Sequence, residues 1–424
     1  MKSASTPWKV ATGLALAAGL IAGALWLRGR DTAPASVPDR AASAPAAAAS
    51  AAPVPSDAYA ETGAGRLSPA VAGHLERIYV PNLRSHDVSV IDPASNKVVD
   101  RFKVGVGPQH VVPSWDLQTL WVANNAERTH EGSLTPIDPR TGRAGAPVEV
   151  DDPYNMYFTP DGASAIVVAE ARKRLDFRDP KTMVLQYSID TPGCGGINHA
   201  DFSLDGHYAV FTCEFDGTLV KIDLAQRAVL GYLKLSLPAT RFKPPAKGQP
   251  FDPSATEPCT AKKGMPQDIR ISPDGRKFYV ADMEADGVHI VDAAAFEKIG
   301  FIPTGLGAHG LYPSRDGKHL YAANRGSHRI HGARRGPGQV TVIDFATDTV
   351  LAQWPIPGGG SPDMGNVSAD GRWLWLSGRY DDEVYRIDTT DGRVIRIPVG
   401  AEPHGLTVWP QPGRYSLGHT GNLR

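Results

Sequence analysis

Four of the 13 histidines in the chain stand at equivalent positions of a repeated sequence pattern. They precede a recurring turn by four or five residues, and they are His110, His199, His309 and His404. A neutral imidazole binds transition metals, serves as an axial ligand of haem, and acts as a general acid or base near neutral pH. The pattern therefore predicts either a metal ion or haem-type tetrapyrrole held by these four histidines, or histidines that only bond the backbone between repeats.

Amide and carboxylate side chains occupy the same positions in the other repeats. Their oxygen atoms extend the set of groups that can bind a metal ion or a polar ligand. The predicted ligand-binding set is His110, Asn155, His199, Gln267, Asp268, His309, Asp363 and His404.

The repeat that must position these side chains is clearest in Ser272–Asp292. It opens with Ser-Pro-Asp-Gly, a tight-turn signal, because Pro fixes φ and Gly accepts positive φ. Two short alternating apolar runs follow, at Lys277–Ala281 and Val288–Val291, and both are typical of strands. One such unit cannot bury its own apolar face, so copies must stack against each other.

Equivalent turns begin at Ser114, Thr159, Ser203, Ser272, Ser314, Ser368 and Trp409. A period of about 40 to 45 residues with four strands per unit is typical of a β-propeller. The pattern starts at a second strand, Arg77–Pro81, and ends with an isolated first strand, His404–Val408. We therefore predict an all-β, seven-bladed propeller over residues 67–424 in which the C-terminal strand closes the first blade.

Composition agrees with this fold class and excludes several functions. The 44 glycines and 36 prolines suit many short strands joined by tight turns. A net charge of −1, with both signs scattered, gives no basic footprint for nucleic acid, so no nucleic-acid partner is expected. The chain lacks Cys-x-x-Cys-His, His-Glu-x-x-His and Gly-x-Ser-x-Gly, which excludes covalent c-type haem and gives no signature of a hydrolase.

The N-terminal residues are of a different kind. Basic residues flank an uncharged apolar run from Val10 to Leu27, which is just long enough to span a bilayer. Residues 1–30 are therefore predicted to be a transmembrane signal anchor, with a cleaved signal as the alternative. Residues 31–66 are rich in Ala, Pro and Ser and predict a linker. The propeller is then expected in the periplasm, tethered to the inner membrane.

Cysteines and insertions mark the top face, where connections into first strands lie. Cys194 and Cys259 precede consecutive first strands, and in an oxidising compartment they are candidates for a disulfide. The alternatives are a thiolate pair that binds metal near His199 and two unrelated thiols. Cys213 lies in a second strand and is predicted to be a buried, small apolar residue.

Two long loops open on the same face, and elaborated loops on a rigid scaffold commonly carry binding sites. One is Pro238–Lys263, and the other is Gly326–Gly338, which contains Arg329, Arg334 and Arg335. The basic loop predicts either steering of an anionic ligand or an ordinary solvated run of charge.

The second strands carry a family resemblance. They read YVPN (79–82), WVAN (121–124), YVAD (279–282) and YAAN (321–324), and third strands read VSVID (88–92), VHIVD (288–292) and VTVID (340–344). From Arg77 to about Pro410 the chain resembles the YVTN-repeat β-propellers. The resemblance implies an exported bacterial propeller and leaves function open, because the same fold carries lactonases and haem d1-associated proteins.

Three functions follow from these features. The first is a membrane-tethered periplasmic scaffold whose top face binds a partner protein or small ligand. The second is a metal- or haem d1-type cofactor protein, since residues 198–224 resemble the corresponding run of haem d1-associated propellers, with His199 at the matching place. The third, implied by lactonase relatives, is a hydrolase with one calcium or zinc ion; its ligands would come from Asn155, Asp268, Asp363 and Glu170 or Glu214. Nothing in the sequence establishes catalysis.

Overall fold

The side chain at the start of each turn builds the repeated turn. Ser272 donates its Oγ hydrogen to Asp274 Oδ1 at 2.6 Å and accepts the backbone N–H of Lys277 at 2.9 Å. Gly275 takes a φ of +72°, which glycine adopts without steric cost. The same hydroxyl-to-aspartate bond recurs in the turns that begin at Ser114, Thr159, Ser203, Ser314 and Ser368. Each turn thus ends a first strand and starts a second one at a fixed distance.

The computed structural model describes residues 56–246, 249, 252, 254–332 and 336–424. A short 3-10 helix, Pro69–Val71, precedes the strands. Blade 1 contains β1 (Arg77–Asn82), β2 (Asp87–Asp92) and β3 (Lys97–Lys103). Blade 2 contains β4 (Pro108–Pro113), β5 (Leu120–Asn124), β6 (Glu131–Ile137) and β7 (Val148–Asp151). Blade 3 contains β8 (Pro153–Phe158), β9 (Ala165–Ala169), β10 (Arg174–Arg178) and β11 (Leu185–Asp190).

The remaining blades follow in chain order. Blade 4 contains β12 (Ile197–Phe202), β13 (Tyr208–Cys213), β14 (Thr218–Asp223) and β15 (Ala228–Lys234). A separate hairpin, β16 (Thr240–Phe242) and β17 (Thr256–Pro258), precedes blade 5, which contains β18 (Pro266–Ile271), β19 (Lys277–Asp282), β20 (Gly287–Asp292) and β21 (Glu297–Pro303). Blade 6 contains β22 (Ala308–Pro313), β23 (His319–Asn324), β24 (Gln339–Asp344) and β25 (Thr349–Pro355). Blade 7 contains β26 (Pro362–Val367), β27 (Trp373–Gly378), β28 (Glu383–Asp388) and β29 (Val394–Pro398).

The ring closes at blade 1, as predicted. The strand β30 (Thr407–Trp409) pairs antiparallel with β1, with Val408 opposite Ile78. Blade 1 therefore has the order β3-β2-β1-β30 and receives its innermost strand from the end of the chain. The prediction of a seven-bladed all-β propeller is confirmed.

Both faces of each second strand are apolar because every blade lies between two others. In β19, Phe278 and Val280 pack toward blade 4, whereas Tyr279 and Ala281 pack toward blade 6, and all four are fully buried. Strand side chains alternate between the two faces, so burial on both sides produces a continuous apolar run. Among the described residues, seven such clusters fill the seven interfaces between neighbouring blades.

A C-terminal hairpin that the sequence did not predict follows the closing strand. It consists of β31 (Ser416–Gly418) and β32 (Asn422–Leu423), and it adds to the inner edge of blade 3 where Gly418 pairs with Tyr157. Gly418 has a φ of +104°, and a side chain there would collide with the backbone of Met156 and Tyr157. This close approach places the hairpin inside the ring of first strands.

The predicted signal anchor, residues 1–30, lies outside the described residues, as does most of the predicted linker. In the part of the chain that the structure describes, no helix is long and apolar enough to cross a membrane. Arg334 and Arg335 also lie outside the described residues. Near the start of the described part, Ala58 is 4% exposed and donates its N–H to Pro273 O at 2.8 Å.

Candidate functional site

A cavity of about 510 Å³ opens on the top face, which is the face where first strands begin and second strands end. We call it the mouth pocket. The residues that line it and enter the argument below are Tyr154, Glu170, Glu214, Gln267, His309, Arg325, Arg379 and His404. Lys263 from one insertion and Ile330 and His331 from the other also line it, so both long loops contribute to the pocket.

Asp363 organises the floor of the mouth pocket. One of its oxygens lies 2.9 Å from His309 Nδ1 and the other lies 2.6 Å from His404 Nδ1. Arg325 also bonds this carboxylate, with its Nε at 3.1 Å. Burial alone raises the pKa of Asp363, but Arg325 and the two imidazoles hold it well below its usual range. The carboxylate therefore stays ionised and fixes both rings.

The two floor histidines are neutral at ordinary pH. Burial lowers the pKa of His309 to about 4, and the nearby Arg325 adds to the effect. Burial and the charge of Arg379 lower the pKa of His404 to about 3. His404 Nε2 lies 3.4 Å from the Tyr154 hydroxyl, so this ring is held from both sides.

The walls of the pocket come from one position of the repeat, the residue immediately after each second strand. Blades 1 to 7 carry Leu83, Asn125, Glu170, Glu214, Met283, Arg325 and Arg379 there. Blades 3 and 4 thus present carboxylates, and blades 6 and 7 present guanidinium groups. The mouth pocket has an acidic wall and a basic wall built by the same structural position.

The acidic wall consists of Glu170 and Glu214. Glu214 accepts bonds from Asn198 Nδ2 at 2.8 Å and from Gln267 Nε2 at 2.9 Å. Burial raises the pKa of Glu214, and these donors and the arginines across the pocket oppose the rise. Burial and the neighbouring Glu214 raise the pKa of Glu170 well above its usual value. Glu170 is therefore the easier of the two to protonate.

The basic wall has unused hydrogen-bond donors. Arg379 is 2% exposed, and its Nη2 lies 3.2 Å from Glu402 Oε1. Its Nε and Nη1 are buried and have no partner among the described residues. A buried N–H without an acceptor costs about 1 to 3 kcal/mol, so this guanidinium is poised for an anionic group from outside. Arg325 is already neutralised by Asp363.

Below the floor lies a second layer of three buried imidazoles, from His110, His199 and His419. Their ring centroids are 4.8 to 5.3 Å apart. His110 and His199 come from first strands of blades 2 and 4, whereas His419 comes from the C-terminal hairpin. Asn155 lies between two of them, with its Nδ2 3.2 Å from His199 Nδ1 and 3.3 Å from His419 Nδ1.

Asp268 does not line the mouth pocket and instead forms a buried ion pair with Arg270. Its Oδ1 accepts a bond from Arg270 at 2.8 Å, and both side chains are fully buried. Its Oδ2 accepts the backbone N–H of Leu311 at 2.9 Å, which ties blade 5 to blade 6. Burial alone raises the pKa of Asp268, but Arg270 and His419 hold it well below its usual range.

The predicted site residues therefore fall into three groups. Gln267, His309 and His404 line the mouth pocket, Asp363 supports its floor, and Asp268 pairs with Arg270. The remaining three, His110, Asn155 and His199, lie in the layer beneath. Sequence reasoning missed Arg325, Arg379 and His419. Alignment of the residue after each second strand would have found the two arginines, but no repeat signal marks His419.

The predicted Cys194–Cys259 disulfide is wrong. Cys194 pairs with Cys213, and their Cα atoms are 4.9 Å apart. The first strand of blade 4 pairs with the second so that Ile197 lies opposite Cys213, which brings the preceding Cys194 alongside it. Cys259 is a free, partly exposed thiol next to β17. Cys213 is buried, as predicted, but it is a bonded cysteine rather than a simple apolar residue.

Residues 254–412 match the model of the YNCE-like beta-propellers. The predicted resemblance to a family of repeat propellers is confirmed. Antigen Lp49 of Leptospira interrogans is 36% identical over 118 residues, which are 26% of this chain and 25% of the antigen. The match thus spans about a quarter of the antigen's length.

Solved propellers share the fold at low sequence identity. The dihydro-haem d1 dehydrogenase NirN, in complex with DHE, is 14% identical with a TM-score of 0.55, and the alignment covers 82% of this chain and 77% of that one. A candidate 6-phosphogluconolactonase of Bacteroides uniformis is 15% identical with a TM-score of 0.58, covering 78% and 99%. At these identities the likeness extends to the fold alone.

Proposed function

We propose that this protein is a binding protein whose mouth pocket takes a small molecule that carries both a carboxylate and an ammonium group. The observation that carries the proposal is the contrast between the two walls at one repeat position. Glu170 and Glu214 lie on one side, and on the other lies Arg379 with unpartnered donors, beside Arg325, which Asp363 neutralises. A net cationic or anionic ligand would satisfy one wall only.

The size and lining of the pocket support this class of ligand. Small-molecule sites are typically clefts of about 300 to 1,000 Å³ with a few convergent polar groups, and the mouth pocket has about 510 Å³. Arg379 offers unpartnered donors at Nε and Nη1, on two edges of its planar guanidinium, and each can donate a charge-assisted bond to a carboxylate oxygen. Glu170, which borders the pocket next to Glu214, offers an acceptor for an ammonium group when its carboxyl is ionised. Tyr154 and His404 lie on the floor between the walls.

The cellular setting stays part of the proposal. We infer a periplasmic protein tethered to the inner membrane, because residues 1–30 contain the apolar run described above. The Cys194–Cys213 disulfide supports an oxidising compartment, where such bonds persist. A protein partner on the top face is compatible with the same walls, although the size of the pocket favours a small ligand.

The lactonase alternative gains no support from the described residues. Two of its proposed acidic ligands are already engaged, since Asp268 pairs with Arg270 and Asp363 with Arg325. The tetrapyrrole alternative rests on fold likeness to NirN.

The test uses ω-amino acids as probes, from glycine to 6-aminohexanoate, because the series varies the separation of the two charges. We expect one chain length to bind best in isothermal titration calorimetry, and the matched carboxylate and amine, each with one charge removed, to bind more weakly. Arg379→Gln should lower the affinity by about 10- to 100-fold, the size of a charge-assisted hydrogen bond. Arg276→Gln, at a side chain 84% exposed in a turn, is the matched control.

Two outcomes would overturn the proposal. One is a folded protein that binds none of the series. The other is binding of the single-charge analogues with the same affinity as the amino acid, because then the two walls do not act together.

A further inference from the structure

We infer that His110, His199 and His419 form a binding site for one divalent transition-metal ion beneath the mouth pocket. The site differs from the four-histidine set that the sequence predicts, because it excludes His309 and His404 and recruits a residue of the C-terminal hairpin. It does not depend on the ligand proposed for the pocket above.

The geometry brings one nitrogen of each ring close to the other two. These three atoms lie within 4.8 Å of one another, and among the described residues they are the one group of three His, Cys, Asp or Glu ligand atoms so arranged. A tetrahedral ion with metal–nitrogen bonds of about 2.0 to 2.1 Å draws its ligands to about 3.4 Å apart. The ligand atoms must therefore approach one another by up to about 1.4 Å for such an ion to bind.

Unpartnered nitrogens at full burial are the second, independent observation. All three side chains are 0% exposed. Both ring nitrogens of His110, and Nε2 of His199, have no hydrogen-bond partner among the described residues. Buried polar atoms nearly always have a partner, and an unmade bond costs about 1 to 3 kcal/mol. A metal ion at the centre of the three rings would engage one nitrogen of His110 and Nε2 of His199 at the same time.

The chemistry of the donors suits a metal. Three neutral imidazoles with an open fourth position are a common ligand set for zinc, and imidazole also suits copper, nickel and iron. Burial, more than any other cause, lowers the pKa of all three rings, which keeps them unprotonated and available. Asp268 Oδ2 lies 3.8 Å from His419 Nε2 and supplies a negative charge nearby, although Arg270 shares it.

Asn155 is the positioning residue of this site. Its amide faces Nδ1 of both His199 and His419. Its Oδ1 accepts the backbone N–H of Met156 at 2.8 Å, which holds the amide in place against both rings. Outer partners of this kind orient metal-binding histidines in many proteins.

The C-terminal hairpin delivers the third ligand and is firmly held. Asn422 Nδ2 donates to Ala200 O at 3.0 Å, and Arg424 bonds Asp201 Oδ1 at 3.2 Å. The N–H of His419 itself donates to Met156 O at 3.1 Å. These contacts fix His419 against blades 3 and 4, so its ring stays beside those of His110 and His199 without a metal.

His309 and His404 lie outside the proposed ligand set, although the ring centroids of His404 and His110 are 4.8 Å apart. Both direct Nδ1 at Asp363, and they line the mouth pocket rather than the layer below it.

The experiment uses the purified full chain, stripped with EDTA and titrated with Co²⁺ and Zn²⁺. We expect one equivalent to bind, with visible absorption of four-coordinate Co²⁺ that Zn²⁺ abolishes. His110→Ala, His199→Ala and His419→Ala should each weaken binding by at least about 100-fold, since even outer-partner changes cost 10- to 100-fold. The exposed His207→Ala, in a turn away from the site, should stay within about twofold of the unaltered protein, because separated sites couple weakly.

A glycine pair tests the same site without removal of a ligand. A Cβ at Gly405 would collide with the ring of His110, so Gly405→Ala should also weaken metal binding. A Cβ at Gly231 meets nothing within 4 Å, so Gly231→Ala should leave it unchanged.

X-ray absorption of the Zn²⁺-loaded, unaltered protein needs no variant to fold. Three imidazole ligands support the site. Fewer than two imidazoles, no saturable binding by the folded protein, or binding unaffected by His419→Ala would overturn it. The ω-amino-acid titration is unaffected by any of these outcomes, so the two proposals fail separately.

Discussion

Loss of the Cys194–Cys213 disulfide should destabilise the propeller by about 3 kcal/mol. The bond links the residue before Gly195 and Gly196 to the residue before Glu214, so it also fixes one side of the acidic wall. The perturbation is Cys194→Ser together with Cys213→Ser. Cys259→Ser, at the free thiol, is the matched control.

The magnitude follows from the length of chain that the bond closes. The two cysteines are 19 residues apart in the sequence. A crosslink over about 19 residues removes about 11 cal/mol/K of entropy from the unfolded chain, which amounts to about 3 kcal/mol at 25 °C. With an unfolding entropy of about 0.8 kcal/mol/K for a domain of this size, the melting temperature should fall by about 4 °C.

Thermal and urea denaturation of the three proteins provide the assay. We expect the double variant to melt lower and Cys259→Ser to melt like the unaltered protein. Thiol titration of the unfolded, unreduced protein should find one free thiol. Three free thiols, or a double variant as stable as its parent, would refute the reasoning.

Two further predictions concern charge. Arg270→Met leaves Asp268 charged and buried without its partner, so it should cost about 3 to 5 kcal/mol in urea unfolding, whereas Arg276→Met at an exposed turn should change stability by less than about 0.5 kcal/mol. Affinity for the best-binding ω-amino acid should fall as the pH is lowered through the raised pKa of Glu170, because only the carboxylate form attracts an ammonium group. Glu170→Gln should remove that pH dependence, and a fall confined to pH values below the usual glutamate range would contradict the prediction.

The fold was predictable because one turn is repeated with little change. The Ser272–Asp274 hydrogen bond and its equivalents need only a hydroxyl, an aspartate and a glycine at fixed spacing, and the sequence displays all three. Packing of each blade between two others explains the continuous apolar second strands. The C-terminal hairpin escaped prediction because its two short strands carry no repeat, and their place is set by contacts with distant backbone, such as that of Gly418 with Tyr157.

The site was predictable only in part. Histidine is an uncommon residue, and four histidines occupy equivalent positions of the repeat just before first strands. The structure brings these four side chains to the central channel. The structure divides these histidines between a floor held by Asp363 and a lower layer. This division depends on the direction of each side chain, which the position in the sequence repeat does not specify. The disulfide depended on strand pairing: Cys194 lies beside Cys213 because Ile197 pairs with Cys213, whereas sequence order made Cys259 look equally available.

The opposed walls of the mouth pocket bear on how a ligand arrives. A molecule with one positive and one negative group has no net charge, and the chain itself has a formal net charge of only −1. Long-range attraction is therefore weak, and added salt should change the association rate little. Close to the mouth pocket, however, the acidic and basic walls form a local dipole. This dipole orients an incoming dipolar molecule before contact. The pocket then selects a ligand by how its two charged groups are oriented at short range, and not by long-range electrostatic attraction.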